Sequence, residues 1–384
     1  MIGRGAAEVV SVSRRGRLVA ITCLFVGCLV AVVVAGSLWL HPRSSSPSAL
    51  GAAPAILPLD VPAPEFTLTG QFGEPVSMHH FRGKAVVLAF VDSQCTTICP
   101  LTTATLTTSL DDLGAAASRV QLLGINANPL ATSVAAVHAY SQAHDLLYRW
   151  NFLTGSKQRL SAVWRDYHVY AAAIASKIDH DPIVFVIDPN GRERAIFHTA
   201  MSYASIGVQA AELAQAIAKS LDPNGSVRAS TGPAPTSLVL PTQNATLPVV
   251  AGTPSTAVVI GPGHAHLIVF LASWLTQTSS MNAQVATLNA YQRTAQRGGL
   301  PSLIAIDLAT TEPRADSLAS TLAALRVQPR FPVVSDTSGA VADGYQAQDA
   351  PWVVLTAQNG KLQWQHGGWL TAGELLASVA RAAR

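Results

Sequence analysis

Two cysteines separated by three residues form the stretch of this chain with the clearest capacity for chemistry. The motif Cys95-x-x-x-Cys99-Pro100 directly follows a continuous apolar run over 85–91, which predicts a buried strand leading into a helix. Side chains at i and i+4 share one helical face, so both sulfurs are expected to point the same way. A helix N-terminus favours thiolate over thiol. Two thiolates this close form a disulfide or bind a soft ion such as Cu(I).

A histidine far along the chain is the candidate for a third ligand. His180 lies in the segment Ile178–Pro182, just before a second apolar run over 183–187 that predicts a third parallel strand. We expect this strand beside the one that leads to the cysteines, so that the loop carrying His180 faces them. A neutral imidazole would complete a three-coordinate Cu(I) site. Without His180, the two thiols alone would still support thiol–disulfide exchange.

Alternating strands and helices are expected to position these residues. The predicted strands cover 85–91, 120–125 and 183–187, and the predicted helices cover 101–113, 132–143, 158–167 and 204–220. A hairpin turn is expected at Asp188-Pro189-Asn190-Gly191. This order indicates a mostly parallel sheet with helices on both faces.

A second block repeats the same order of elements. Its predicted strands cover 267–272, 303–307, 352–356 and 361–365, and its predicted helices cover 281–296, 315–325 and 372–383. We interpret the repeat as an internal duplication of the fold. The segment Phe270–Thr278 resembles the thioredoxin segment that ends in Trp-Cys-x-x-Cys, with Leu275 and Thr278 in place of the cysteines, and Ala350-Pro351 stands where thioredoxins keep a cis-proline. No cysteine follows Cys99, so the second block is predicted to be a docking or spacer domain.

An uncharged apolar segment near the N-terminus predicts a membrane anchor. Residues 18–40 would form a helix of about 35 Å, enough for a bilayer core of about 30 Å. Four arginines precede this segment, so we expect residues 1–17 in the cytoplasm and the remainder outside, on the periplasmic side of the cell membrane. The apolar run is too long for a cleaved signal peptide, whose core has about 7–15 residues.

Composition narrows the classes of function and suggests domain limits. The chain has 384 residues, of which only 12% are charged, and a net charge of +3, which excludes a highly charged disordered chain and nucleic-acid binding through a basic field. Stretches rich in Pro, Ser and Ala at 41–62 and 222–246 read as linkers. We therefore expect one domain over 63–221 and another over 247–384.

Motifs around the cysteines resemble the SCO/SenC family of copper chaperones for cytochrome oxidase. The matching motifs are the cysteine motif preceded by Gly83–Phe90, the opening Pro64–Leu68, the central Leu153-Thr154-Gly155, Tyr167–Tyr170, and the spacing from Asp179-His180 to Gly191. The resemblance covers about 63–221. It implies a thioredoxin-like fold, copper held by Cys95, Cys99 and His180, and a cytochrome oxidase subunit or another copper-receiving protein as partner.

The chain would then be an α/β protein with an N-terminal transmembrane helix followed by two thioredoxin-like domains. The acidic residue that the family usually has between the two cysteines is absent here, and Asp92 and Asp181 are the candidates to compensate. The alternative function is a thiol–disulfide oxidoreductase, in which Cys95 and Cys99 are the catalytic redox pair that reduces client cysteines before metal loading. That activity would not require His180.

Overall fold

The computed structural model describes residues 56–175, 177–230, 232, 243–253 and 257–382. The predicted cytoplasmic segment 1–17, the predicted anchor 18–40 and most of the first linker lie outside these residues. Within the described part of the chain, no helix combines the length and the apolar character needed to cross a membrane.

The first half of the described chain, from Leu57 to Leu221, has layers of helices and strands. Its described strands are β1 (Leu57–Pro62), β2 (Thr67–Thr69), β3 (Pro75–Ser77), β4 (Ala85–Val91), β5 (Val120–Asn126), β6 (Trp150–Leu153), β7 (Ala171–Ile174), β8 (Lys177–His180), β9 (Ile183–Ile187) and β10 (Arg192–His198). Its described helices are α1 (Ile98–Leu113), α2 (Val134–Ala143), α3 (Lys157–Asp166) and α4 (Ile206–Leu221).

The main sheet of this half is only partly parallel. Its order is β1-β10-β9-β4-β5-β6, and β4, β5 and β6 pair in parallel. Strand β9 does lie beside β4, but it runs antiparallel to it, and β10 and β1 continue the antiparallel part. The prediction of a mostly parallel sheet is therefore wrong. After α3 the chain makes the β7-β8 hairpin before it enters β9, and β9 then runs opposite to β4.

Strand β4 is the centre of the first half and fixes the position of the cysteine motif. All seven of its residues are buried. One face packs into a cluster with residues of α1 and α4, and the other packs with side chains such as Phe66 and Leu160. A strand that is covered on both faces needs an apolar run without alternation, which is why 85–91 could be predicted.

The second half of the described chain, from Ala245 to Ala382, has its own sheet. Its described strands are β11 (Ala245–Ala251), β12 (Ala257–Ile260), β13 (His266–Leu271), β14 (Ser302–Asp307), β15 (Val333–Ser335), β16 (Trp352–Thr356) and β17 (Leu362–Gly367). Its described helices are α5 (Met281–Gly298), α6 (Ser317–Ala323), α7 (Ala340–Gly344) and α8 (Ala372–Ala382).

The second sheet repeats the arrangement around its central strand. The order is β12-β11-β15-β14-β13-β16-β17, with β13 parallel to β14 and antiparallel to β16. Strand β13 thus has the same two kinds of neighbour as β4. Strand β11 begins at Ala245, within the stretch that the composition suggested as a linker.

The two halves share a buried apolar surface. Leu101 and Ile206 of the first half belong to the same buried cluster as Phe270 and Trp274 of the second. The carboxylate of Asp343 accepts hydrogen bonds from three groups of the first half, which are the Ser202 hydroxyl (2.6 Å), the Tyr203 amide (2.7 Å) and the Ala204 amide (3.1 Å). The halves are therefore packed against each other in the described part of the chain.

Candidate functional site

The cysteine motif spans the loop after β4 and the first turn of α1. Helix α1 begins at Ile98, so Cys99 is helical whereas Cys95 lies in the loop before the helix. The expectation that both cysteines share one helical face is therefore wrong. The loop nevertheless returns Cys95 to the helix start, because the amide of Cys99 donates a hydrogen bond to the Cys95 sulfur at 3.4 Å. Both thiols are buried and free, with no disulfide between them.

The structure brings His180 to this loop. His180 ends β8, in the β7-β8 hairpin, and its Nε2 lies 3.5 Å from the Cys99 sulfur, although 81 residues separate them. Its Nδ1 lies 3.1 Å from the carbonyl oxygen of Asp181. A carbonyl oxygen only accepts hydrogen bonds, so this contact places a proton on Nδ1 and turns Nε2 toward the thiol.

The two thiols are electrostatically unequal. A hydrogen bond from Cys99, helped by contacts with His180 and Thr97, holds the pKa of the Cys95 thiol well below its usual range. Burial and the neighbouring Cys95 raise the pKa of the Cys99 thiol well above it. Negative charge is therefore favoured on Cys95 over Cys99, as expected where a helix N-terminus and a hydrogen bond both serve one sulfur.

The pKa of His180 is also affected by the cysteine pair. Burial alone would lower the pKa of His180, but a hydrogen bond and the charge of Cys95, together with the Asp181 carbonyl, outweigh it and raise the pKa. The imidazole and the Cys95 thiolate thus stabilise each other's charged forms.

Neither predicted compensating carboxylate is hydrogen-bonded to the cysteines or to the imidazole. The Asp92 carboxylate is buried and accepts hydrogen bonds from the Gln94 amide and the Asn128 side chain, at 2.8 and 2.7 Å. The Asp181 carboxylate accepts the Tyr170 amide at 2.8 Å. Both side chains therefore order the loops around the site.

An open cavity of about 690 Å³ gives access to Cys95 and to the imidazole of His180. Besides Cys95 and His180, it is lined by three residues that the sequence analysis did not single out, namely Lys177, Met201 and Asp349. Met201 offers a thioether and is 39% exposed. Asp349 comes from the second half, directly before the Ala350-Pro351 pair, whose peptide bond is cis as predicted.

The corresponding loop of the second half is built for packing. After β13, Ser273–Gln277 forms a short 3-10 helix in which Trp274 and Leu275 are buried. The amide of Ser273 donates to the Glu312 carboxylate at 2.6 Å, and the Ser273 hydroxyl also contacts it. Burial raises the pKa of Glu312 and of the neighbouring Asp307. A buried carboxyl from the segment after β14 therefore binds this loop, which carries no thiol.

Among the described residues, no three or more His, Cys, Asp and Glu side chains already stand in a metal-ligating arrangement. The contacts that the structure does show are pairwise, from Cys99 to His180 and from Cys99 to Cys95. The Cys95 sulfur also lies 3.2 Å from the Thr97 hydroxyl.

Comparison with known proteins finds similarity in the first half of the chain. Residues 59–218 match the model of the family described as SCO1/SenC. The chain is 31% identical over 135 residues to the mitochondrial protein SCO2 homolog of Bos taurus, covering 33% of this chain and 50% of that protein. It is 28% identical over 102 residues to the SCO1 protein homolog of Bacillus subtilis, covering 26% and 53%. The chain thus spans about half the length of these curated relatives.

Solved structures of the same kind are also similar. The structure of Arabidopsis thaliana ScoI with copper bound has a TM-score of 0.36 and 22% identity, covering 40% of this chain and 97% of that one. Yeast Sco1 with copper bound has a TM-score of 0.32 and 24% identity, covering 35% and 77%. The family match thus confirms the resemblance that the cysteine motif indicated, over residues 59–218.

Proposed function

We propose that this protein is a membrane-anchored, extracytoplasmic copper chaperone that delivers copper to a cytochrome c oxidase subunit. The observation that carries the proposal is the 3.5 Å approach of His180 Nε2 to the Cys99 sulfur, beside Cys95. Copper would be the cargo, held by Cys95, Cys99 and His180.

The distance between the donor atoms fits a shared ion. Sulfur and nitrogen ligands bonded at about 2.3 and 2.0 Å to one ion stand about 3.5–3.8 Å apart. The Nδ1 contact of His180 with a backbone carbonyl is the kind of outer hydrogen bond that orients metal-binding imidazoles. Two thiolates and an imidazole are soft donors that suit Cu(I).

Loading changes the protonation and the contacts of the site. A metal ligand must be deprotonated, so Cys99, whose thiol pKa is raised, releases its proton when copper binds. The Cys95 sulfur exchanges its contact with the Thr97 hydroxyl for the ion. The open cavity leaves the loaded site accessible to a receiving protein.

The predicted anchor at 18–40 completes this proposal. Tethering the domains 63–221 and 247–384 to the membrane would confine the copper site near a membrane-embedded oxidase and raise its effective concentration there. The relatives named SCO1 and SCO2 and the copper-bound Sco structures support the copper part of the proposal.

The test is a titration of the reduced full-length chain with Cu(I) in the presence of a competing chelator. We expect one equivalent of copper to bind, binding to be lost in Cys95→Ser/Cys99→Ser, and binding to be weakened in His180→Ala. The exposed His198, substituted as His198→Ala, is the matched control and should bind as the wild type does. Copper binding that survives loss of both cysteines would refute the proposal.

A thiol–disulfide oxidoreductase is the second candidate, and the unequal thiols favour it. The Cys95 thiolate would attack a client disulfide to form a mixed disulfide, and Cys99 would then release the client as a dithiol, leaving Cys95–Cys99 oxidised. His180→Ala separates the two functions, because it should weaken copper retention and leave exchange with a disulfide peptide largely intact. A reduced wild-type chain that exchanges with no such peptide would exclude this activity.

A further inference from the structure

The middle of the cysteine motif is held from the second half of the chain. The Thr96 hydroxyl donates a hydrogen bond to Asp349 Oδ1 at 2.6 Å, across 253 residues. The carbonyl oxygen of the same residue accepts the amide of Ala350 at 3.0 Å. Both the side chain and the carbonyl of Thr96 are therefore bound to two consecutive residues of the other half.

The group that holds Thr96 is itself fixed. The Oδ1 atom of Asp349 also accepts the amide of Ala350 at 2.8 Å, which ties the carboxylate to its own backbone. Asp349 is half-buried, and it lines the same cavity as Cys95 and His180. A carboxylate that is anchored in this way restricts the Thr96 hydroxyl more than a freely rotating surface side chain would.

We propose that Asp349 is a positioning residue for the cysteine loop, so that the second half supplies part of the copper-handling site. Thr96 directly follows Cys95 and lies outside α1, where no helical hydrogen bonds hold the chain. Fixing Thr96 at two points limits where the Cys95 sulfur can stand relative to Cys99 and His180. The effect on copper rests on the proposed function, whereas the effect on the two thiols does not.

Three variants of the full-length chain test this role. Asp349→Ala removes the acceptor, Thr96→Val removes the donor, and Asp349→Asn keeps an acceptor oxygen. Removing a partner that orients a metal ligand typically weakens metal affinity 10- to 100-fold. We expect Asp349→Ala and Thr96→Val each to weaken Cu(I) binding about tenfold. The double variant should be no worse than either single variant, because both lose the same interaction, and Asp349→Asn should restore most of the affinity.

Two measurements on the copper-free protein separate positioning from general folding and from the copper proposal. The reduction potential of the Cys95–Cys99 couple should shift by about 30 mV in Asp349→Ala, which corresponds to a tenfold change in the thiol–disulfide equilibrium. The rate at which iodoacetamide alkylates Cys95 should change severalfold. If the wild type binds no copper, the proposed function fails, and these two measurements still decide the role of Asp349.

The matched control is Asp145→Ala. Asp145 also makes a carboxylate contact between the halves, at 2.7 Å to Arg314, but it lines a different cavity. This control should leave the potential, the alkylation rate and the copper affinity unchanged. Our inference is overturned if Asp349→Ala retains the wild-type potential and alkylation rate, or if Asp145→Ala shifts them as much as Asp349→Ala does.

Discussion

The loops after β4 and β13 occupy equivalent positions in the two sheets and do different work. Each follows a buried central strand with a parallel neighbour on one side and an antiparallel neighbour on the other. The first loop brings Cys95 to an open cavity that His180 also lines, with Cys99 buried beside them. The second buries Trp274 and Leu275 and binds its own serine to a carboxylate. The same topology therefore places a loop after each central strand, and the side chains of the loop determine whether it can bind a ligand or only pack.

The second loop has become a surface for packing. Trp274 stacks on His144 of the first half, with ring centroids 5.6 Å apart and planes 21° apart. His144 in turn lies against Tyr140, at 4.3 Å between centroids. The loop after β13, which is equivalent to the cysteine loop after β4, thus packs against the first half. This contrast between the two loops can be tested.

The largest effect is expected from removing the tryptophan of the packing loop. Trp274→Ala should lower the free energy of unfolding by about 3–5 kcal/mol, because a fully buried aromatic side chain is lost. Urea unfolding followed by circular dichroism measures the change. The half-buried Trp364 of β17, substituted as Trp364→Ala, should have a clearly smaller effect. Equal effects of both substitutions would contradict a special packing role for the loop after β13.

A second prediction concerns the acid sensitivity of the same contact. Burial lowers the pKa of His144 to about 3, against about 6.5 in an unfolded chain. Between these values the unfolded chain binds the proton and the folded one does not. Stability should therefore fall as the pH drops below about 6.5, by at most about 1.4 kcal/mol for each pH unit. His144→Phe, which keeps an aromatic ring, should flatten this dependence in urea titrations at pH 7 and pH 5.

The control for the acid effect is a substitution at an exposed histidine. His198→Phe should retain the wild-type slope between pH 7 and pH 5, because His198 lies on the surface. A wild-type slope in His144→Phe would show that other groups cause the acid sensitivity.

The smallest effect is expected at the rim between the halves. Arg314 and Asp145 form an ion pair at 2.7 Å, with side chains 62% and 63% exposed. Exposed pairs of this kind contribute about 0.2–1 kcal/mol, and salt screens them. Asp145→Asn should therefore shift the urea midpoint only slightly, and the shift should vanish at high salt. A large shift that persists in salt would assign the cohesion of the halves to charge instead of apolar packing.

Strong local patterns in the sequence were enough to predict the core of each half. The apolar runs that became β4, β9 and β16 are buried strands, and the segments around α1 and α5 have helical periodicity. The position of His180 beside the cysteines was also expected, because the strand that follows it, β9, neighbours β4. Short strands with weak patterns were missed, and they include β6, β11 and β15.

Features that depend on chain direction and on long-range docking were beyond the sequence patterns. Nothing local distinguishes a parallel from an antiparallel β9, and the exact start of α1 decided that Cys95 lies outside the helix. The contact of Asp349 with Thr96 depends on how the two sheets pack together. Only the neighbouring Ala350-Pro351 pair drew attention to that segment.

The single apolar cluster that runs through both halves has a consequence for modularity. Leu101 and Ile206 are covered by residues such as Phe270 and Trp274. Cutting the chain at 222–246 would therefore expose an apolar surface on each fragment. Engineering that transfers the first half into another protein would have to include the second half as well. The two halves therefore form one structural unit, although each has its own sheet.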